Sequence, residues 1–327
     1  MGEAMTSEIG FVHHVGHVVR DMPHALETYR RLGFACTRPT YPTLAPTPGG
    51  RPVPVGAANA HANFRHSFVE VVTVASEASP VPAGAKLVEL QVPPAALERL
   101  RATLGRTVGR ITASLERFEG LHILVFGTSN AEATAARFDG LGIVHSGVST
   151  VAYEAETSSG PRTVPVRVVE IDGPGVPEGR LAAAEPLASL ALEGQTWPAH
   201  PNGALDLLEA ILCVPDQEIE RYAARYAQYV GQAGQCIGRV WRFALERSSL
   251  VIVPDGALGT VLPGEHAPAL PAFVGYAIGV ADLTATRRWL EGHAVAVHAL
   301  PNGDLLVPAT EALGASVLFR PADERQS

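Results

Sequence analysis

Lysine is nearly absent from this 327-residue chain: its basic residues are almost all arginine, and Lys86 is the one lysine. That excludes a P-loop lysine motif and leaves Schiff-base chemistry a single residue to work through. Cysteine is scarce as well. Cys36, Cys213 and Cys236 show no paired spacing and no Cys-x-x-Cys motif, which excludes a small disulfide scaffold, argues against a thiolate metal site and fits a reduced, cytoplasmic compartment. Charged residues make up only 18% of the chain, yet no apolar run reaches the ~18 residues that a membrane-spanning helix needs. Residues 1–10 carry neither the basic nor the apolar region of a secretory signal. A net charge of −8 without a basic stripe argues against nucleic acid and leaves a small molecule as the expected partner. No Gly-x-Ser-x-Gly elbow and no strand-linked Gly-x-Gly-x-x-Gly is found.

What is there is a repeat. The chain is longer than one hydrophobic core usually organises, so two domains or a duplication are expected. One pattern of strand, helix and β-rich tail recurs four times. The first copy opens with the β-branched run Phe11 to Val19, has Asp21 as a helix cap, a helix over Ala25 to Leu32 closing at Gly33, and ends in the strand Ser67 to Thr73. The second opens at Leu121 to Phe126, runs a helix over Ala131 to Phe138 and has Val164 to Ile171 as its last strand. The third opens at Leu207 to Val214, with a helix over Glu218 to Tyr229 and a last strand over Ser249 to Val253. The fourth opens at Phe273 to Val280, with Asp282, a helix over Thr284 to Leu290 and a last strand over Ala315 to Phe319.

Two stretches fall outside the pattern. Residues 93–117, with Leu97, Leu100, Leu104 and Val108 at helical spacing, predict one or two added helices that either lid a cleft or cover the sheet. Residues 173–203, rich in Pro, Ala and Gly, read as a linker. The expected division is a domain over 1–175, a linker over 176–203 and a domain over 204–327.

The opening Val12 to Asp21 followed by Tyr29-Arg-Arg-Leu-Gly-Phe34 resembles the vicinal oxygen chelate superfamily, which includes glyoxalase I, over nearly the whole chain. Ala58-Asn59, Phe68 to Val72 and His200 to Ala204 are similar to segments of its bacterial glyoxalase-like domain proteins. The resemblance implies an α+β fold of four βαβββ units, paired into two curved mixed-sheet half-barrel cups with flanking helices.

Strand alternation puts His14 on one face with Val12, Gly16 and Val18, and Glu70 with Phe68 and Val72. The resemblance implies that His14, Glu70, His122 and Glu170 face the first cup and bind one divalent metal, with Ni, Zn, Co, Mn and Fe(II) all compatible with two imidazoles and two carboxylates. It further implies isomerase or lyase chemistry on a substrate with vicinal oxygens, with Glu70 or Glu170 moving the proton. Two alternatives stand beside it: an Fe(II) dioxygenase using His14, His122 and Glu170, and a cup that traps a ligand without chemistry.

Aligning the copies places Glu209, Ile252, Gly275 and Leu318 at the matching positions of the second half, which is therefore expected to lack a site. His17, His61, Arg65 and His66 are weaker candidates for contacting an anionic substrate, as are Tyr153 and Arg167. His200 is expected to hold the halves together, and Tyr222, Tyr226 and Tyr229 to form a core or inter-unit face. Four units in one chain fit a monomer, and a homodimer remains open.

Overall fold

The computed structural model describes residues 7–322 apart from 48, 156, 159, 161, 173–175 and 187–195, and apart from the side chains of 94 and 153–155. It is a mixed α+β structure in which helices flank one large mixed sheet. The first section runs β1 (Ile9–Val18), α1 (Met22–Arg31), β2 (Thr40–Leu44), β3 (Val53–Pro54), β4 (Ala57–Asn63), β5 (Phe68–Val74) and β6 (Lys86–Glu89). The expected added helix follows as α2 (Leu97–Arg117). Next come β7 (Gly120–Thr128), α3 (Ala131–Leu141), β8 (His145–Ala155), β9 (Arg162–Ile171) and β10 (Arg180–Pro186). The remainder is β11 (Ala204–Val214), α4 (Ile219–Val230), β12 (Gln235–Ile237), β13 (Val240–Ala244), β14 (Ser249–Pro254), β15 (Ala272–Val280), α5 (Leu283–Gly292), β16 (His298–Ala299), β17 (Leu305–Val307) and β18 (Ser316–Pro321).

Local chemistry accounts for the helix boundaries. Asp21 caps α1 by accepting the His24 N–H at 2.8 Å, and Asp282 caps α5 through the N–H groups of Thr284 and Ala285. Gly231, at φ +73, ends α4 in the left-handed conformation that an L residue adopts only with strain. No described helix is long and apolar enough to cross a membrane.

Strand pairing repeats along the chain. β1 is parallel to β5 and antiparallel to β7, and β7 is parallel to β10; likewise β11 is parallel to β14 and antiparallel to β15, and β15 is parallel to β18. β4 and β9 flank β5 and β10, as β13 and β17 flank β14 and β18. The two stretches meet where Phe273 of β15 pairs with Leu121 of β7.

Two expectations are corrected here. The last strand of the second copy is β10 and not Val164 to Ile171, which form β9, one strand further out. β10 lies inside the stretch expected to be a linker, so strand pairing continues to Pro186. Its core residues are Leu181, Ala182, Ala183 and Ala184, and alanine carries little intrinsic strand preference; burial between β7 and β9 decides its state.

Candidate functional site

A cavity of about 540 Å3 is bordered by α2 and by residues of β1, β4, β5, β7, β9 and β10, and Glu70, Asn59, Glu170, Arg180, Arg110 and Arg117 supply polar groups to its wall. Its apolar floor follows from strand alternation. Val18, Val72, Ile123, Val125, Ala182 and Ala184 form one cluster with Ile111 of α2, while Val12, Val15, Leu124 and Leu181 pack on the opposite, helix-covered side. The register of β1 shifts between Val12 and His14, so His14 shares a face with Gly16 and Val18 but not with Val12.

His14 is 9% exposed and stacks on Phe68 with ring centroids 4.3 Å apart, its Nδ1 2.8 Å from Nδ1 of His13. Burial first, then the charges of His13 and Arg180, push its pKa well below 6.5 against the opposing pull of Glu70. Glu70 lies opposite Gly16 on β5, accepts a hydrogen bond from Asn59 Nδ2 at 3.3 Å and has His61 Nε2 3.7 Å away. Burial raises the pKa of its carboxyl, but the His61 hydrogen bond and the charges of His14, His61 and Arg180 outweigh that and bring it to about 2. It is an anion at neutral pH and a weak proton acceptor.

The partners expected on the second copy are placed differently. The register shifts again between Gly16↔Ile123 and His17↔Leu121, leaving His122 at the irregularity. Its Nε2 is 2.9 Å from the Phe118 carbonyl and its Nδ1 is buried with no hydrogen-bond partner. Burial is the main cause of its fall to a pKa of about 4. The pairs His14↔Val125 and Gly16↔Ile123 exchange under a local two-fold, so Ile123 stands where His14 stands. By the same exchange Ala182, beside Val125, stands where Glu70 stands beside Gly16. Glu170 pairs with Ala182 as His61 pairs with Glu70, which makes it the counterpart of His61.

Glu170 is held by arginines. Arg110 Nη1 is 2.5 Å from its Oε1 and Arg180 Nη2 is 3.2 Å from its Oε2; Arg110 also reaches Asp172 at 3.5 Å. Glu70, His122 and Glu170 thus border one cavity, yet each is engaged with a different neighbour. No three His, Cys, Asp or Glu side chains among the described residues come together in a way that could hold a metal ion. The buried Nδ1 of His122 is an atom a metal could use, but a second and third ligand are not beside it. As placed, this donor set does not fit a metal ion.

The weaker candidates resolve into other roles. His17 joins Tyr29 Oη at 3.1 Å to the Leu313 carbonyl at 2.7 Å, and His66 meets Asp206 at 3.0 Å, so both tie the first section to the last. His61 belongs to the Glu70 group, Arg65 is exposed, and Arg167 pairs with Glu185 at 2.7 Å. The side chain of Tyr153 lies outside the described residues. His200 accepts the Ala35 N–H at 3.0 Å and donates to the Asn63 carbonyl at 2.9 Å, which fastens the segment before β11 to the first section. Tyr222, Tyr226 and Tyr229 surround Arg225, which pairs with the fully buried Glu178; Tyr226 Oη donates to the same carboxylate at 2.8 Å.

The corresponding face of the second stretch is filled. Ile211, Cys213, Val251, Val253, Leu306 and Leu318 pack there against Leu258 and Leu262. The register Ile211↔Val251 assigns Val251, and not the expected Ile252, to this face. Glu209 is fully buried between Arg242 and Arg320 with Ser249 Oγ at 3.0 Å, a closed ion cluster.

Sequence reasoning missed Arg110, Arg117 and Arg180. A usable signal existed for the first two: Thr107, Ile111 and Ser114 share their side of α2 at spacings of three and four, the periodicity of one helix face.

The sequence matches the glyoxalase-like domain family across residues 12–230, about two thirds of the chain. The chain belongs to that family, within the vicinal oxygen chelate superfamily. No curated protein matches the sequence at a significant level. Among solved structures, a triple mutant of 4-hydroxymandelate synthase from Streptomyces coelicolor is similar at 13% identity and TM-score 0.55, over 97% of this chain and 94% of that one. A hypothetical protein from Staphylococcus aureus is similar at 9% identity and TM-score 0.54, over 95% and 98%. A fusion of a xylose isomerase-like TIM barrel with a 4-hydroxyphenylpyruvate dioxygenase is similar at 12% identity and TM-score 0.54, over 98% of this glyoxalase-like chain and 51% of the fusion. At these identities the likeness concerns the fold alone.

Proposed function

We propose that this glyoxalase-like protein binds a small molecule with two adjacent oxygens in a cup formed by its N-terminal pair of βαβββ units, and that its C-terminal pair is a site-less scaffold. The observation that carries the reading is the contrast between equivalent faces: the first holds a cavity of about 540 Å3 with charged groups on its wall, and the second is packed with side chains. Asn59 supplies N–H donors to ligand oxygens, and Val18, Val72 and Ile123 cover an apolar body. Binding is the part of this reading that the cavity supports directly, since charged and apolar groups share one wall. A cytoplasmic setting, suggested by the unpaired cysteines, belongs to the same reading.

The test is calorimetry with catechol and diacetyl, with EDTA present or with added Ni, Zn or Fe(II), on wild type and on Ile123→Trp, which fills the cup. Binding in EDTA that disappears in Ile123→Trp is expected. Binding that requires a metal would restore the metal-dependent isomerase, lyase or dioxygenase readings, and binding that survives Ile123→Trp would move the site elsewhere.

A further inference from the structure

The cup holds an arginine pair whose occupant is part of the protein. Glu170 presents its two carboxylate oxygens to two different guanidiniums, Oε1 to Arg110 on α2 and Oε2 to Arg180 on β10. This is the contact set that a ligand's own carboxylate would make. Both arginines border the cavity, beside the apolar Val18, Val72, Ile111 and Ile123. The side chains of Arg110 and Arg180 are 61% and 40% exposed, so the internal pairs are weak and a competing anion can reach them. Glu170 itself is fixed through its backbone, whose N–H donates to Ser146 Oγ at 3.0 Å; its side chain can leave without moving β9.

Resting on the proposed ligand-binding role of the cup, we infer that Arg110 and Arg180 form the subsite for the carboxylate of an apolar monocarboxylic acid, and that Glu170 is an intramolecular competitor which that carboxylate displaces. The ligand's apolar body then faces Val18, Val72 and Ile123, and its carboxylate bridges α2 and β10. Asp172, 3.5 Å from Arg110, keeps that arginine oriented when Glu170 leaves. Net charge sets the selectivity: with Glu170 in place the arginines are already neutralised, so a neutral isostere gains nothing from them.

Calorimetry with phenylacetate and phenylacetamide on wild type, Glu170→Gln, Glu170→Ala and Arg180→Met tests this. Removing the competitor is expected to tighten phenylacetate by about fivefold in both Glu170 variants, the size of a weak exposed pair, and to leave phenylacetamide unchanged. Arg180→Met is expected to weaken phenylacetate at least fivefold, again without effect on the amide, whose constant binding reports an intact cup. An unchanged or weaker phenylacetate affinity in the Glu170 variants, or an equal gain for the amide, overturns the inference while leaving the binding cup standing. Absence of binding by either compound in every variant overturns the inference, and the catechol and diacetyl titrations then decide separately whether the cup binds at all.

Discussion

Acidification should destabilise this protein through a buried histidine of β1, His17. His17 is 1% exposed, and burial above all lowers its pKa from 6.5 to about 4, against the opposing effect of the Leu313 carbonyl bond. Between those two values the unfolded chain binds a proton that the folded chain refuses. Stability is therefore unaffected above pH 6.5 and falls as the pH drops from 6.5 towards 4. At pH 5 the unfolded imidazole is almost fully protonated and the folded one almost fully neutral, which costs about 2 kcal/mol relative to pH 7.5. His122, 1% exposed and also held at about 4, adds a loss of the same sign. The measurement is urea unfolding at pH 7.5 and pH 5.0 on wild type and His17→Gln. Glutamine keeps a donor for Leu313 and an acceptor for Tyr29 but does not titrate, so the pH-dependent loss should shrink by about 2 kcal/mol. An identical loss in the two proteins would show that His17 is not buried neutral and would refute the reasoning.

Four further outcomes are expected. Gly179→Ala places a Cβ 2.1 Å from the His122 carbonyl oxygen at φ +137, so it should destabilise by about 3 kcal/mol or more in urea melts and weaken ligand binding by displacing Arg180. Arg225→Met leaves Glu178 buried and unpaired and should cost about 3–5 kcal/mol, whereas Tyr226→Phe removes one hydrogen bond to the same carboxylate and should cost about 1 kcal/mol by the same assay. Asp282→Ala removes two capping hydrogen bonds from α5 and should cost about 1 kcal/mol in thermal unfolding. Because no described trio of ligand-type side chains fits a metal, EDTA dialysis should leave the Tm unchanged; a clear drop would mean that a metal supports the fold.

Much of this architecture is legible locally. Apolar runs mark β1, β7, β11 and β15, Asp21 and Asp282 mark the starts of α1 and α5, and Gly142 and Gly231 mark the ends of α3 and α4, because capping and alternation act within a few residues. α2 is visible in its leucine spacing. β10 is not visible, since its alanines become a strand only between β7 and β9.

The site shows where local reading ends. The sequence by itself determined the strands that carry His14 and Glu70 and, by alternation, that Glu70 shares a face with Val72; the parallel register that sets Glu70 opposite Gly16 belongs to the fold. Only the tertiary structure decided the other wall. One shift of register at His122 exchanges the faces of β7, and one additional strand moves Glu170 from the position matching Glu70 to that matching His61. The side-chain period of a strand is two, so a single extra residue reverses every later side chain, and nothing in the local sequence marks where that residue falls. Whether Glu170 faces a metal or two arginines is decided by where α2 and β10 place Arg110 and Arg180, residues 60 and 10 positions away in the chain.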